Sequence, residues 1–294
     1  MRPLLDDEKY QIVVEQAKEF ENGIAKKLQR YVVLKSWWSS NYVSDWWEEY
    51  VYLKNRDSLL CGSNYYGSDL ISKKSVKQTA RAANLAYYML QFRKKIERQE
   101  LKPIMVQGLV PLCSWQYERM FNTTRIPGIE SDKIVHWDDI KHIVVLHKGC
   151  YYKVLIHHNG RLLNACQIQC QLDFIVNSAE EYLIWTQCEK NLASLTTTNR
   201  TKWAETRSKY FSQGINQCSL HTIESAAFFL VLEDESFEYG LEATPKEYGY
   251  YGQQLLHGKG NDRWFDKSFN ICVGKNGRVS KTCKIIETLS DCDF

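Results

Sequence analysis

A β-hairpin signal in the middle of the chain constrains the fold most. Residues 142–147 are rich in apolar and β-branched side chains and predict a strand, which Lys148-Gly149 would end in a tight turn. Residues 151–156 predict the returning strand. Asn159-Gly160 is a strong signal for a type I′ turn, after which residues 161–163 begin a third extended segment. The chain must therefore contain a sheet with antiparallel neighbours.

Helical patterns alternate with further strand signals in the rest of the chain. Apolar residues recur at helical spacing in residues 7–30, where Asp6 or Asp7 could cap the helix. Other predicted helices are 46–53, 75–98, 167–176, 219–227 and 245–257. The helix at 46–53 has Ser44 or Asp45 as its predicted N-cap, and Glu48 has the right spacing for a capping box with Asp45. Other predicted strands are Tyr31–Leu34, 228–232 and 268–273, while 189–200 is predicted to be a polar loop. Interspersed helices and strands predict the α/β class, with a mixed sheet.

Composition excludes several kinds of function. The 294 residues carry a net charge of +3 without a long basic block, so no nucleic-acid partner is expected. No run of 18 apolar residues occurs, so no transmembrane segment is expected. The ten cysteines include no C-x-x-C pair, and Cys166 and Cys170 lack a second pair that would complete a zinc site. No metal is therefore expected.

Several short motifs follow one another in an order that no generic pattern explains. They are Leu34-Lys-Ser-Trp-Trp38, Asn41-Tyr-Val-Ser-Asp-Trp-Trp-Glu-Glu-Tyr50, Ser63-Asn-Tyr-Tyr66, Glu118-Arg-Met-Phe-Asn122, Arg125-Ile-Pro-Gly128, Lys141-His-Ile-Val-Val145, Leu255-Leu-His-Gly258 and Arg263-Trp-Phe-Asp-Lys-Ser-Phe269. In this order they resemble the choline/carnitine acyltransferase family, most closely its type 1 carnitine palmitoyltransferase branch. The resemblance extends from about residue 2 to Gly277.

The resemblance implies a fold of two related halves, each a mixed β-sheet covered by helices, like chloramphenicol acetyltransferase. Residues 1–277 would supply most of the first half, and residues 278–294 would form a divergent tail. The second half, with the coenzyme A site and most of the carnitine site, would lie outside this chain. The implied location is the cytosolic face of the mitochondrial outer membrane, or the cytoplasm if the chain exists as given.

The family transfers an acyl group from a coenzyme A thioester to the hydroxyl of carnitine, so carnitine and long-chain acyl-CoA are the implied substrates. Coenzyme A enters as part of a substrate, and no cofactor is implied. A histidine must accept the proton of the attacking hydroxyl. Counted along the family spacing from Gly277, an acidic residue and this histidine fall at Lys284 and Ile285. Isoleucine has no titratable group, so we expect no catalytic residue here and no activity of this chain alone.

Trp47 and Tyr52 match family positions at the carnitine pocket, on the side of the substrate carboxylate. An indole N–H and a phenol O–H are suitable donors to a carboxylate. From the residues alone, both are more simply core aromatics on a helix, whereas the resemblance favours a substrate-binding role in an intact enzyme. Trp46, one residue earlier, would face elsewhere and is expected to pack in the core.

Other polar residues are expected to be structural. Arg263 and Asp266 would form an ion pair that braces the strand leading to the catalytic loop. His142 and His147 are expected on a strand surface or in a turn, with His157 and His158 at the end of the hairpin. His257 is expected at a helix C-terminus, where a cation complements the helix dipole.

Three functions remain open. The chain could be an incomplete carnitine acyltransferase, or a non-catalytic binding or regulatory protein that retains half of the scaffold. It could also be a lipid-binding or acyl-CoA-binding module without transferase ancestry, although the order of the motifs argues against this. An intact second half on the same transcript would distinguish the first possibility from the second.

Overall fold

The computed structural model describes residues 2–62, 64–69, 77–178, 187–237 and 243–284. By its internal contacts the chain divides into two units, Met1–Val51 and Tyr52–Phe294. All strands of the described residues belong to the second unit. Three sequence-based predictions concern residues outside the described ranges: the motif residue Ser63, the base position Ile285 and the rest of the tail to residue 294.

The smaller unit is helical in its described part. Its elements are a 3₁₀ turn (Arg2–Leu4), α1 (Asp7–Asn22), α2 (Ile24–Ser36) and α3 (Ser44–Trp47), and a π-helical turn (Glu48–Leu53) follows α3. Asp6 caps α1 by accepting a hydrogen bond from Lys9 N at 2.8 Å. The single helix predicted over 7–30 breaks at Gly23, whose ψ of −102° lies outside the helical region. The strand predicted at Tyr31–Leu34 is wrong, since these residues continue α2 and β-branched residues lower helix propensity only slightly.

Trp46 packs against α2. Its ring stacks on Tyr31 with centroids 5.6 Å apart, and Lys35 Nζ lies 3.9 Å from its centroid. Lys35 Nζ also binds Asp45 at 2.7 Å, which holds the pKa of that exposed carboxyl below its ordinary value. Because α3 begins at Ser44, with Val43 at the N-cap, Asp45 lies inside the helix and the predicted capping box with Glu48 does not form.

The larger unit contains the remaining elements. Its helices are α4 (Leu59–Gly62), α5 (Gln78–Glu97), α6 (Ala165–Ser178), α7 (Gln187–Lys190), α8 (Arg200–Tyr210), α9 (Gly214–Ser225) and α10 (Pro245–Leu256), with 3₁₀ helices at Trp115–Arg119 and Leu192–Thr197. Its strands are β1 (Asn64–Ser68), β2 (Met105–Val106), β3 (Val110–Pro111), β4 (Thr123–Ile126), β5 (Lys133–His136), β6 (His142–His147), β7 (Cys150–Leu155), β8 (His157–His158), β9 (Arg161–Leu162), β10 (Phe229–Leu232), β11 (Phe269–Val273) and β12 (Val279–Lys284). The predicted hairpin and most of the predicted helices are present, with boundaries shifted by a few residues.

Six strands form the main sheet in the order β1-β12-β11-β10-β6-β7. The three central strands are parallel: Phe229 of β10 lies opposite Val144 of β6 and Asn270 of β11. The outer strands β7, β12 and β1 run antiparallel to their neighbours. The predicted α/β class with a mixed sheet is therefore confirmed.

Helices cover both faces of the central strands. Alternate residues of β6 enter two separate cores, because successive side chains of a strand point to opposite faces. Ile143 and Val145 pack in a core that includes Ala82, Ala83, Ala86 and Leu90 of α5 and Ile168, Leu172 and Ile175 of α6. Val144 and Leu146 pack in a core that includes Trp203, Leu220, Ile223, Leu255 and Trp264. Each fully buried aliphatic or aromatic side chain contributes roughly 1.5–3 kcal/mol to this packing.

The double coverage corrects the expectation for the two histidines of β6. Every residue of β6 is buried, including His142 and His147 at its ends. His142 Nε2 lies 2.9 Å from Thr222 O, and His147 Nδ1 lies 2.8 Å from Leu232 O. Burial lowers the pKa of His142, so this imidazole is neutral at physiological pH. Both histidines are structural but neither lies on the surface.

The polar loop predicted over 189–200 is wrong. The described residues from 187 onward form α7 and the 3₁₀ helix Leu192–Thr197. Ala193 and Thr196 are fully buried there, and so is Arg200 at the start of α8. A polar stretch can be buried when residues elsewhere in the chain form hydrogen bonds or ion pairs with its side chains. Residues distant in sequence do so here.

The two turns around β7 have the positive φ angles of type I′ geometry, as the Asn159-Gly160 signal predicts. The φ angles are 49° and 80° at Lys148 and Gly149, and 48° and 73° at Asn159 and Gly160. The surroundings of the two glycines differ. A Cβ at Gly149 would lie 2.8 Å from Lys190 Cβ, whereas a Cβ at Gly160 would meet no atom within 4 Å.

We expect Gly149→Ala to destabilise the protein more than Gly160→Ala. Both substitutions put an L-residue in the left-handed region, at about 1–2 kcal/mol. Only Gly149→Ala adds a steric clash, which typically costs about 1–3 kcal/mol more. Urea unfolding of the two variants would measure the difference. Equal unfolding free energies would contradict the close approach of α7 to the turn.

Candidate functional site

Several buried charged residues lie near one end of the main sheet. At this end β11 begins and β12 ends, because the two strands are antiparallel with Phe269 opposite Cys283. The Cα of Lys284, the last residue of β12, lies opposite that of Asn64 in β1. Ile285 follows directly in the chain but lies outside the described residues, so its predicted correspondence to the base position remains a prediction.

The loop before β11 carries buried charges, but not in the predicted pair. Asp266 accepts hydrogen bonds from Arg200 Nη1 at 2.5 Å and from Trp203 Nε1 at 2.7 Å. Arg263 Nη1 donates to Leu255 O at 2.6 Å, and Arg263 Nε lies 3.7 Å from Asp262 Oδ1. The predicted Arg263–Asp266 ion pair is therefore wrong. The two side chains reach different elements because the intervening residues do not form a helix that would align them.

Asp132 is the centre of this charged cluster. Its Oδ2 accepts from Arg125 Nε at 2.6 Å and from Arg200 Nε at 2.7 Å. Its Oδ1 accepts from Arg56 Nη1 at 2.9 Å and from Gly128 N at 3.2 Å. The Asp132 side chain is completely buried. One carboxylate thus joins three arginines from separate parts of the chain.

The cluster fixes the backbone at Tyr52. Arg125 Nη2 donates to Tyr52 O at 2.6 Å, and Arg125 N donates to Asp266 O at 2.8 Å. Asp132 N donates to Leu53 O at 3.0 Å. The segment that carries Tyr52 is therefore linked through Arg125 to the loop that starts β11. The Tyr52 side chain is half-buried.

Burial and ion pairing act in opposite directions on these charges. Burial lowers the pKa of the Arg125 guanidinium, and Asp132 opposes that shift. Arginine nevertheless stays protonated in proteins, so the guanidiniums keep all their donors. Pairs of this kind hold groups in position more than they add net stability, because removing charges from water offsets most of their attraction.

A second buried cation lies beside the cluster. Lys267 Nζ donates to Thr124 Oγ1 at 2.8 Å and to Glu224 O, and it lies 5.5 Å from the centroid of the Trp137 ring. The carboxylate of Glu224 binds Arg207 at 2.8 Å, and burial raises the pKa of that carboxyl. Lys267 ties the loop before β11 to β4 and to the end of α9. The sequence held no signal for the roles of Lys267 and Glu224, nor for those of Asp132 and Arg200.

Trp47 belongs to the smaller unit and differs from its neighbour. It is the last residue of α3 and is 56% exposed, whereas Trp46 packs on Tyr31. The Trp47 indole is thus accessible to a ligand. The assignment of Trp47 and Tyr52 to the carnitine pocket stays a prediction.

A buried carboxyl with a raised pKa lies at the other end of the sheet. Glu233 follows β10, and Gln78 Nε2 donates to both Glu233 O and Val273 O. Burial, and then the charge of Asp262, raises the pKa of Glu233 to about 7. A raised carboxyl pKa often marks an acid–base site. Glu233 lies at the opposite end of the strands from the start of β11, and therefore away from Tyr52 and the charged cluster around Asp132.

Two further properties bear on the kind of site present. In the residues that the structure describes, no group of three His, Cys, Asp or Glu side chains could hold a metal ion. No helix within the same ranges is long and apolar enough to cross a bilayer.

The geometry and the motifs agree with one family. The family model described as choline/carnitine O-acyltransferase matches residues 1–284, which is nearly the whole chain. The chain belongs to the choline/carnitine acyltransferase family. The match continues past Gly277, where the motif resemblance ends, to the last residue of β12.

Individual relatives show where in the family the chain lies. It is 46% identical over 280 residues to the human protein named carnitine O-palmitoyltransferase 1, muscle isoform, covering 95% of this chain and 36% of that protein. It is 45% identical over 281 residues to the human liver isoform, with the same coverage. Identity falls to 31% with human mitochondrial carnitine O-palmitoyltransferase 2, over 95% of this chain and 45% of that protein. The chain thus spans little more than a third of the length of the type 1 relatives.

We expect Asp132→Asn to destabilise the larger unit by about 3–5 kcal/mol, because the buried guanidiniums of Arg125 and Arg200 and the half-buried one of Arg56 would lose their shared counter-charge. Asp139→Asn is a matched control, since Asp139 is 78% exposed and pairs only with Lys141 at 2.6 Å among the described residues. An exposed pair contributes about 0–1 kcal/mol. Urea unfolding at neutral pH would compare the two variants. Similar losses would show that the cluster is not the anchor inferred here.

Proposed function

We propose that the chain is part of a carnitine O-acyltransferase, which transfers a long-chain acyl group from coenzyme A to the hydroxyl of carnitine. The identity of 46% with the muscle isoform of carnitine O-palmitoyltransferase 1, over 95% of this chain, carries the proposal. Coenzyme A takes part only within a substrate, and no cofactor is proposed. The substrates are proposed from the names of the relatives.

A mitochondrial location is part of the proposal. The name of one relative, carnitine O-palmitoyltransferase 2, includes the word mitochondrial. The higher identity with the type 1 proteins, 46% against 31%, favours the location that the motif resemblance implies. That location is the cytosolic face of the outer membrane.

We assign the described residues a role in positioning carnitine. Tyr52 would donate its phenol O–H to the carnitine carboxylate, directly or through water, and the Trp47 indole N–H would contribute on the same side of the substrate. Support comes from the backbone at Tyr52, which Arg125 holds at its carbonyl. A phenol on an anchored backbone needs little reordering when the substrate binds, which favours affinity.

In our proposal, this chain does not supply the residue that accepts the proton. Ile285 takes the place of the base by the family spacing, and an alkyl side chain cannot accept a proton from the carnitine hydroxyl. We propose residues 1–277 as most of the first half of the enzyme and residues 278–294 as a divergent tail. A non-catalytic binding or regulatory role of the same scaffold is the alternative.

We expect the 294-residue chain by itself to show no acyl transfer from palmitoyl-CoA to carnitine. The measurement is release of coenzyme A by the purified chain, with a heat-inactivated sample as the control. Turnover above the control that disappears when any one of the seven histidines is replaced would contradict the proposal. It would show that another histidine accepts the proton.

We expect Tyr52→Phe to raise the KM for carnitine in an active chimera. The chimera would join residues 1–277 to the matching remainder of the human muscle isoform, which restores the family residues at the base position. Losing a hydrogen bond to a charged group costs roughly 1.5–3 kcal/mol, or about a tenfold to hundredfold change in KM. The KM for palmitoyl-CoA should change much less, since the ring remains.

Trp46→Phe is the matched control for this experiment. Trp46 packs on Tyr31 and under Lys35, so its replacement should lower the melting temperature and leave the carnitine KM unchanged. If Tyr52→Phe leaves the carnitine KM unaltered, or if Trp46→Phe alters it equally, Tyr52 is a core aromatic and not a substrate ligand.

A further inference from the structure

Two buried carboxyl groups lie close together at the end of β10. Glu233 follows β10 directly, and Asp262 lies in the loop that joins α10 to β11. Among the residues that the structure describes, Glu233 Oε1 and Asp262 Oδ1 are buried and accept no hydrogen bond. After burial, the charge of Asp262 is the largest cause that raises the pKa of Glu233 to about 7, so the two groups are near neighbours. A buried carboxylate oxygen without a donor is costly.

One proton can satisfy both oxygens. A protonated carboxyl has an O–H donor, which a carboxylate lacks. Protonated Glu233 can therefore donate to Asp262 Oδ1, and the pair then carries a single negative charge. Two carboxyl groups in one buried place titrate in this way, because ionising the second beside the first is unfavourable.

The nearby cations also have other partners. Arg263 Nε lies 3.7 Å from Asp262 Oδ1, while its Nη1 donates to a carbonyl in the last turn of α10. Lys259 Nζ donates to Glu235 at 2.8 Å, and Lys259 N donates to Asp262 Oδ2 at 2.9 Å. Arg263 and Lys259 lower the pKa of Glu233, but less than burial and Asp262 raise it. Three carboxyl groups thus face two cations, and one proton on Glu233 balances the charges.

Further neighbours come from α5, β6 and β11. Gln78 Nε2 of α5 donates to Glu233 O, and an amide carries no charge. Burial raises the pKa of the Cys272 thiol in β11, so this thiol is neutral at physiological pH. His147 ends β6, with its Nδ1 2.8 Å from Leu232 O. The titration of this imidazole must be separated from that of Glu233.

We propose that Glu233 and Asp262 share one proton up to neutral pH, and that this proton holds the loop between α10 and β11 against the end of β10. As the pH rises through the pKa of about 7, Glu233 ionises and the two carboxylates repel each other. The loop then loosens at Lys259, whose backbone N–H binds Asp262. This pH-sensitive contact is independent of acyl transfer.

Urea unfolding of the full 294-residue chain and of Glu233→Gln tests the proposal. The folded pKa of Glu233 is about 7 and its ordinary value is 4.5, so between these pH values only the folded chain holds the proton. The stability that the proton supplies therefore falls as pH rises through this window and is constant above it. Relative to Glu233→Gln, the unfolding equilibrium constant of the unchanged chain should rise by up to about tenfold per pH unit from pH 5 and level off above pH 8. The contribution of His147 cancels in this comparison.

Infrared spectroscopy observes the proton itself. The unchanged chain should show a protonated-carboxyl band at pH 6 that is lost with a midpoint near pH 7, and Glu233→Gln should lack this band. Asp262→Asn should move the midpoint to lower pH without removing the band, because burial still raises the pKa of Glu233. Asp234→Asn is the matched control, since Asp234 is exposed directly beside Glu233. This control should alter neither the band nor the pH profile of stability.

Hydrogen exchange at the Lys259 amide reports on the loop. After correction for the intrinsic effect of pH, exchange should be about tenfold faster at pH 8 than at pH 6 in the unchanged chain, and equal at both in Glu233→Gln. Equal protection of the unchanged chain at both pH values would overturn the effect on the loop. Parallel stability profiles of the unchanged chain and Glu233→Gln would overturn the proposal, as would a missing band at pH 6. An unchanged midpoint in Asp262→Asn would overturn the sharing of the proton. Stabilisation by calcium at pH 8 that Glu233→Gln abolishes would show that a metal cation joins the carboxylates instead.

Discussion

The shared carboxylate of Asp132 is the interaction on which the polar end of the larger unit depends. Three guanidiniums, from Arg56, Arg125 and Arg200, converge on it in a buried place. They belong to segments far apart in sequence, and their mutual repulsion would prevent this approach without a common anion. The net gain in free energy from such a cluster is small, because desolvation offsets the attraction. Its effect is geometric: it determines which segments meet.

The geometry extends from Asp132 to the sheet. Arg200 binds both Asp132 and Asp266, and Asp266 lies in the loop that starts β11. Because β11 and β12 are antiparallel, that same end of the sheet receives the end of β12. The segment carrying Tyr52 is joined to it through Arg125. The segment that carries Tyr52 and the end of β12 thus belong to one framework of buried charges and strands.

The larger unit contains apolar strands that are buried and apolar strands that are exposed. In the main sheet, helices on both faces bury every residue of β6, and even its terminal histidines find carbonyl partners. In the hairpin of β2 and β3, apolar side chains on both faces stay exposed. The first arrangement is a complete core, and the second leaves apolar side chains exposed. The difference follows from coverage: helices pack on both faces of the main sheet, whereas no described element packs on the hairpin.

Local patterns determined much of this protein. Period-two apolar runs and the Asn159-Gly160 turn predicted the β6–β7 hairpin, and Pro245 after Thr244 marked α10 with its capping box. The ordered motifs determined the family. Local patterns failed where distant partners decide: the Arg263–Asp266 pair did not form, and Arg200 in a polar stretch proved fully buried. A charged side chain enters a core only where counter-charges from remote segments meet it. The tertiary structure alone decided that meeting, and with it the position of Tyr52.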